Sequence, residues 1–312
     1  MKVKSDCLYC LYFRAKKQIE RLTTDEELRF NALVGVIQII SNHVSSNASE
    51  KIPHPLRLCP SYIGTKRDRF LQNIFQVDDT YNQEKANLKA RTNKIWHMIQ
   101  NKVNTFNSPE KQFELALALA TGANIIEYDL LGHENEFNIE EKIQNIFDYA
   151  ERDWDEFSVK LLPIFFSEIA GSTTILYLTD NVGEAIFDLK VIDILIQQGK
   201  KVIVAGKSKP ILNDATVSDL QDFYYELKLT NPPEIVSIGT NSVGLLLDEV
   251  SNEFREIIRR TDLIIAKGMG HFETIPEYNW DQSIWCLFRS KCRPVTKEAN
   301  SEIQKNCIRK IA

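Results

Sequence analysis

Apolar positions recur at two different periods along this chain, and the change between them falls near Gly171. Before that point the spacing is helical. Residues Tyr9 to Leu22 mix basic and apolar positions. Thr24, with Glu27 three residues on, then forms a capping box ahead of Leu28, Leu33, Val34, Ile37 and Ile40, which predicts a second helix buried along one face. Ser45 to Pro60 carries Pro53, Pro55 and Pro60 close together and reads as a loop. From Lys66 to Lys102 a polar helical pattern is broken near Asp78 to Tyr81. Its expected core contacts are Phe70, Ile74, Leu88, Ile95, Trp96 and Ile99, and Lys66-Arg67-Asp68-Arg69 is its expected solvated face. Ser108-Pro109 is an N-cap followed by a proline at the first helical position, and the helix it starts, with Phe113, Leu115, Ala116, Leu117 and Leu119, is apolar on nearly every side and needs a covering partner. It closes at Thr121 to Asn124. Asn138 with Glu141 opens a further helix reaching about Arg152, and Asp155 to Ala170 is another, bent or begun near Pro163.

Beyond Gly171 short apolar runs of strand type alternate with helical segments, the pattern of a parallel sheet with helices on its faces. The predicted strands are Thr174 to Thr179, Lys201 to Ala205, Glu234 to Ile238, Asp262 to Ala266 and Ile284 to Phe288. The fold class is therefore α/β, a mainly parallel sheet preceded by an all-helical region, with the boundary placed between 1–170 and 171–312. In such a sheet the carboxyl ends of the strands share one side, where ligands bind. The residues that follow each predicted strand are Asp180 and Asn181; Gly206, Lys207 and, a little later, Asn213 and Asp214; Thr240, Asn241 and Ser242; Lys267-Gly268-Met269-Gly270-His271; and Arg289, Lys291 and Arg293.

Composition narrows the partners. The 312 residues are 43% hydrophobic and 26% charged with a formal net charge of −5, so the chain affords a large core and exerts no global attraction on nucleic acid or anionic membrane. Met1 to Cys7 has no long apolar segment and no run of about eighteen apolar residues occurs, which makes the cytoplasm the expected location and a membrane span unexpected. The sequon at Asn47 is expected to be chance. Six cysteines are too sparse for a disulfide framework. Cys7-Leu-Tyr-Cys10 has a spacing that serves metal or redox chemistry, but with no second such pair to complete a zinc set the favoured reading is two small apolar residues of a first helix.

The strand-end set carries the chemistry. Carboxylates for a hard divalent cation, beside a lysine and backbone amides for an anion, are what metal-assisted phosphoryl transfer requires. Asp180, Asn181 and Asp214 are the expected metal ligands, with Glu184 and Asp188 behind them or positioning water. Lys267 and the amides through Gly268 to Gly270 are the expected phosphate contacts, and His271 is a ligand, a base or a satisfied loop histidine. Each has a plainer reading: an Asp at a strand end commonly caps the next helix, and Asp214 precedes a helix start near Thr216. Neither a G-x-G-x-x-G nor a G-x-x-x-x-G-K-[ST] fingerprint is present, which argues against nicotinamide chemistry.

The segments Asp180-Asn181-Val-Gly183-Glu184-Ala-Ile-Phe187-Asp188, Pro210-Ile-Leu-Asn213-Asp214-Ala and Ala266-Lys267-Gly268-Met-Gly270, with Cys7-x-x-Cys10 at one end and Lys291-Cys292-x-Pro294-Val295 at the other, resemble the metal-dependent damage-control phosphatases in their microbial branch. The resemblance extends over nearly the whole chain. It implies a helical portion packed on a Rossmann-like portion, hydrolysis of small phosphorylated metabolites, and a divalent cation such as Mn²⁺, Mg²⁺, Co²⁺ or Ni²⁺. It also implies metal ligation by Asp180, Asn181 and Asp214, catalysis by Asp180, Asn181 and Lys267, and phosphate or substrate contacts at Lys267, Gly268, Glu184 and Asn124. The chain departs from the family at His271, where asparagine is usual, and at Ala123-Asn124-Ile-Ile-Glu127, where Gly-Asn-x-x-Asp is usual; these changes bear on substrate choice. Two other readings stand beside it. One is an S-adenosylmethionine-dependent carboxyl methyltransferase, an activity described for a relative, and the other is a non-catalytic metal- or metabolite-binding protein.

Overall fold

The structure, a computed structural model, describes residues 1–45, 54–125 and 139–312. Asn47, Pro53, Glu127 and the helix start at Asn138 lie outside the described residues. The first half is helical, through α1 (Ser5–Leu22), α2 (Glu26–Val44), α3 (Pro60–Phe75), α4 (Asn82–Lys89), α5 (Thr92–Val103), α6 (Pro109–Gly122), α7 (Ile139–Tyr149) and α8 (Glu156–Gly171). The second half alternates: β1 (Thr174–Leu178), α9 (Val182–Gln197), β2 (Lys201–Gly206), α10 (Val217–Glu226), β3 (Glu234–Ser237), α11 (Asn252–Arg259), β4 (Leu263–Lys267), α12 (Gly268–Thr274), β5 (Ser283–Arg289), α13 (Arg293–Glu298) and β6 (Asn306–Lys310).

The sheet order is β3-β2-β1-β4-β5-β6, with the first five strands parallel and β6 antiparallel to β5. All five strands predicted from the apolar runs are present. The sixth was not predicted, because Asn306-Cys-Ile-Arg-Lys has only two central apolar residues, and its pairing with β5 is what gives it strand form. The order reverses between β1 and β4, and that reversal opens a crevice at their carboxyl ends.

Alternation along the strands sends two sets of side chains to two cores. Ile175 and Tyr177 of β1, Val202 and Val204 of β2, and Leu263 and Ile265 of β4 pack into one cluster with Leu115, Leu119, Ile186 and Leu189. Leu176, Leu178, Ile203, Ala205, Ile264 and Ala266 pack into the other with Cys7, Phe254 and Phe272. The continuous apolar runs are therefore explained by burial on both faces. The apolar α6 has its covering partner in α9, and the first cluster runs without a break from the helical half into the sheet.

Ser108 caps α6 by accepting from the Lys111 amide, as its sequence signature predicts. Pro163 lies inside α8, whose cap is Asp155, so the helix neither starts nor stops there. Three local expectations are corrected. The cap of α2 is Asp25, accepting from Leu28 N at 3.0 Å, rather than Thr24, since both precede the helix by a permissible spacing and only one adopts the cap geometry. Ile37 faces outward at 51% exposure. In the Lys66–Arg69 string, Arg67 and Asp68 are buried rather than solvated, because Arg67 packs on α1, donating to Leu11 O at 3.1 Å, and Asp68 meets the loop after β2, accepting from Leu212 N at 3.1 Å.

A candidate metal and phosphate site at the strand ends

The polypeptide leaving β1 turns at Asp180-Asn181 into α9, and the loop after β2 folds back against it. Ala215 N donates to Asp180 O at 2.7 Å and Val182 N donates to Asn213 O at 2.9 Å, so Asn181 and Asp214 form an antiparallel bridge pair. The three expected ligands thus come together, and all are buried. The capping alternative does not hold for them. Asn181 occupies the cap position of α9 without a side-chain cap bond, and α10 is capped by Thr216 in a reciprocal box with Asp219, which leaves Asp214 for another purpose.

Gly268 follows β4 with φ at +81°, and a Cβ there would lie 1.8 Å from Asp180 Oδ2. Only glycine permits this carboxylate to reach across from β1 to β4. Behind it lies a chain of polar contacts. Asn124, in a one-turn 3₁₀ segment after α6, donates to Asp180 Oδ2 at 3.1 Å and to Glu184 Oε1, while its own Oδ1 accepts from Arg289 N at 3.2 Å. Asn181 Nδ2 also donates to Glu184 Oε1 and sits 3.3 Å from Asp180 Oδ2. Asn124 and Glu184, expected at the substrate, are therefore engaged with each other and with Asp180 and Asn181, and Asn124 fixes the direction of the Asp180 carboxylate.

Lys267 is also placed differently from the expectation. Its ammonium is fully buried and donates to Asp188 Oδ1 at 2.8 Å and to Ala120 O at 2.8 Å, with Glu184 Oε2 at 3.5 Å. Two of its three donors are taken by Asp188 and Ala120, and Glu184 adds an ion-pair contact without a hydrogen bond. Lys267 braces the two carboxylates rather than facing an open phosphate position. Burial pushes the Asp188 carboxyl up to about 6 even though Lys267 and the Tyr177 hydroxyl, at 2.7 Å, favour its charged form. Burial pulls the Lys267 ammonium down, but Asp188 and Glu184 outweigh it and hold it above the ordinary lysine value.

Lys207, the first residue after β2, lies beside Asp214. It is buried, donates to Gly244 O at 2.7 Å and lies 3.5 Å from Asp214 Oδ2. Burial draws its ammonium below the usual lysine range, opposed by Asp214 and then Asp180. Sequence reasoning passed over it as one polar residue among several. The available signal was its position, directly after an apolar strand like Lys267. His271 is buried with Nδ1 2.6 Å from Lys267 O, and burial, then Lys207, push it down to about 3, so it is a satisfied neutral histidine, on α12 rather than in a loop. Cys7 and Cys10 both lie on α1, away from these residues in sequence; burial raises the Cys7 thiol to about 11 and the Cys292 thiol to about 12, which keeps both protonated.

Two carboxylates and an amide form an all-oxygen donor set, which fits a hard divalent cation such as Mg²⁺ or Mn²⁺. No group of three or more His, Cys, Asp or Glu side chains suited to a metal occurs among the described residues. No helix among the described residues is long and apolar enough to cross a membrane.

Comparison with known proteins places the chain in context. The profile of the damage-control phosphatase ARMT1-like domain matches residues 3–306. The damage-control phosphatase PH1575 of Pyrococcus horikoshii is 32% identical over 299 residues, covering 96% of this chain and 94% of that protein. A damage-control phosphatase of Archaeoglobus fulgidus is 25% identical over 299 residues, covering 96% and 95%. The crystal structure of a DUF89 family protein from Pyrococcus horikoshii superposes with a TM-score of 0.81 at 30% identity over the full length of both chains.

Proposed function

This chain belongs to the damage-control phosphatase ARMT1-like domain family, and on that premise we propose that it is a metal-dependent phosphatase of small phosphorylated metabolites, working from the crevice between β1 and β4. The observation that carries the reading is the meeting of Asp180, Asn181 and Asp214 beside the buried Lys207 ammonium. Asp180, Asn181 and Asp214 hold the cation. A divalent ion bound there supplies concentrated positive charge against the phosphoryl oxygens. Lys207 adds a fixed cation on the same side, with one N–H beyond those directed at Gly244 and Asp214 to give to the transferred group. Asn124, Glu184 and Lys267 keep Asp180 and Asn181 in register, so the site needs little rearrangement when charge develops. The burial of every one of these groups strengthens their electrostatic effect.

The methyltransferase reading has less behind it. A methyl donor has no use for two carboxylates and an amide gathered around a cation position, and the glycine-rich first turn common among dinucleotide-type sites is missing after β1. The discriminating experiment is phosphate release from p-nitrophenyl phosphate and a panel of sugar phosphates, with Mn²⁺, Co²⁺, Ni²⁺ or Mg²⁺ and with a chelator. The proposal expects turnover that needs added metal. Turnover unchanged in chelator, or methyl transfer from S-adenosylmethionine without phosphate release, would overturn it.

A further inference from the structure

Asp68 sits on α3, in the string of charges that the sequence presents as a solvated face, yet none of it is exposed. Its Oδ1 accepts from Gln18 Nε2 at 2.6 Å and from Thr80 Oγ1 at 3.3 Å, which anchors the carboxylate to α1 and to the turn before α4. Its Oδ2 accepts from Leu212 N at 3.1 Å. Leu212 is the strained residue of the loop after β2. Its φ is +47°, a left-handed conformation that a leucine adopts only when its surroundings impose it. The turn closes with Asp214 N donating to Ile211 O at 3.1 Å, and Asp214 is then delivered to its bridge partner Asn181. Two further contacts from α3 act on neighbouring backbone: Gln72 Nε2 donates to Pro210 O at 2.9 Å, and Thr65 Oγ1 accepts from Val243 N at 2.9 Å, next to the Gly244 carbonyl that receives Lys207.

We infer that Asp68 is a positioning residue for the metal site: from the helical half of the chain it holds the 211–214 turn in the left-handed conformation that brings Asp214 beside Asn181. The inference rests on the reading of Asp214 as a metal ligand. A buried carboxylate is suited to the task because it has acceptor capacity for the anchors and for the strained amide at once. Without the bond to Oδ2, Leu212 relaxes to negative φ, the turn opens and Asp214 leaves the donor set.

The test is calorimetric titration of metal-free protein with Mn²⁺, alongside thermal melting. Asp68→Ala is expected to weaken Mn²⁺ binding about 10- to 100-fold, the scale of losing one buried hydrogen bond to a charged group. Asp68→Asn is expected to restore affinity to within about threefold of wild type. Its single oxygen serves Leu212 N, and its amide finds an acceptor in Gln18 Oε1, which has no hydrogen-bond partner among the described residues of the wild-type protein. If Asp68→Ala does not fold, Gln18→Leu carries the test, with an expected loss of about three- to tenfold through the loosened carboxylate. A purely structural role lowers the melting temperature and leaves the Mn²⁺ affinity of the folded protein unchanged; that result, or an Asp68→Asn variant as weak as Asp68→Ala, overturns the inference alone. Wild-type protein that takes up no Mn²⁺ overturns the metal reading and the inference with it.

Discussion

At the scale of single residues, the two buried lysines separate structural from chemical roles. Lys267 lies between Asp188 and Glu184, so Lys267→Met leaves buried carboxylates without their counter-charge. The expected cost is about 3–5 kcal/mol of stability, read as a lowered melting temperature in chemical and thermal denaturation. Lys207 has fewer partners and lies 3.5 Å from the Asp214 carboxylate. Lys207→Met is expected to keep Mn²⁺ uptake while kcat on p-nitrophenyl phosphate falls about 10²- to 10³-fold, the scale of one lost donor to developing charge. Equal effects of the two substitutions on kcat, with melting unchanged in both, would contradict this division. The meeting of Asp180, Asn181 and Asp214 was legible in the sequence because Asp180-Asn181 closely follows one apolar strand run and Asn213-Asp214 lies in the loop after another. The division between the lysines was not, because both follow a strand in the same way and only packing against Ala120 and Gly244 tells them apart.

At the scale of elements, the strand that the sequence did not announce is held by charge as well as by pairing. Arg309 of β6 donates through Nη1 and Nη2 to the two oxygens of Asp155, at 3.3 and 2.5 Å, and Asp155 also caps α8 by accepting from Ser158 N at 2.6 Å. Burial pushes the Asp155 carboxyl up, but Arg309 and Ser158 outweigh it and hold it at about 2. Its folded value therefore lies below its unfolded one, and its stabilisation is present above about pH 4 and lost as pH falls from about 4 to 2. The contribution is about 2 kcal/mol, and Asp155→Asn, which keeps the cap oxygen, should remove that part of the acid dependence of the melting temperature. An unchanged slope between pH 4 and 2 would show that the pair contributes nothing there. The parallel strands β1, β2, β4 and β5, by contrast, were readable because they are buried along almost their whole length and so are almost wholly apolar, whereas the edge strand β3 is only half-buried and was marked by Ile235 and Val236 alone. The burial of Arg67 and Asp68 was not readable, because a charged tetrapeptide on a helix looks the same whether it meets water or a loop from another part of the chain.

At the scale of the whole molecule, the helical half and the sheet act on one site. Asn124 reaches it from the end of α6, Asp68 acts on it from α3, and the first hydrophobic cluster joins the two halves underneath. The change of period near residue 171 therefore marks a change of architecture across which the core and the polar network are continuous. The account depends most on the cation and the chemistry sharing Asp180. Asp180→Ala, titrated with Mn²⁺ by calorimetry and assayed in parallel for p-nitrophenyl phosphate hydrolysis, tests this directly. The account predicts that metal uptake and turnover disappear together while the protein still melts cooperatively. An Asp180→Ala protein that binds Mn²⁺ with wild-type affinity, or hydrolyses the substrate at the wild-type rate, would contradict it.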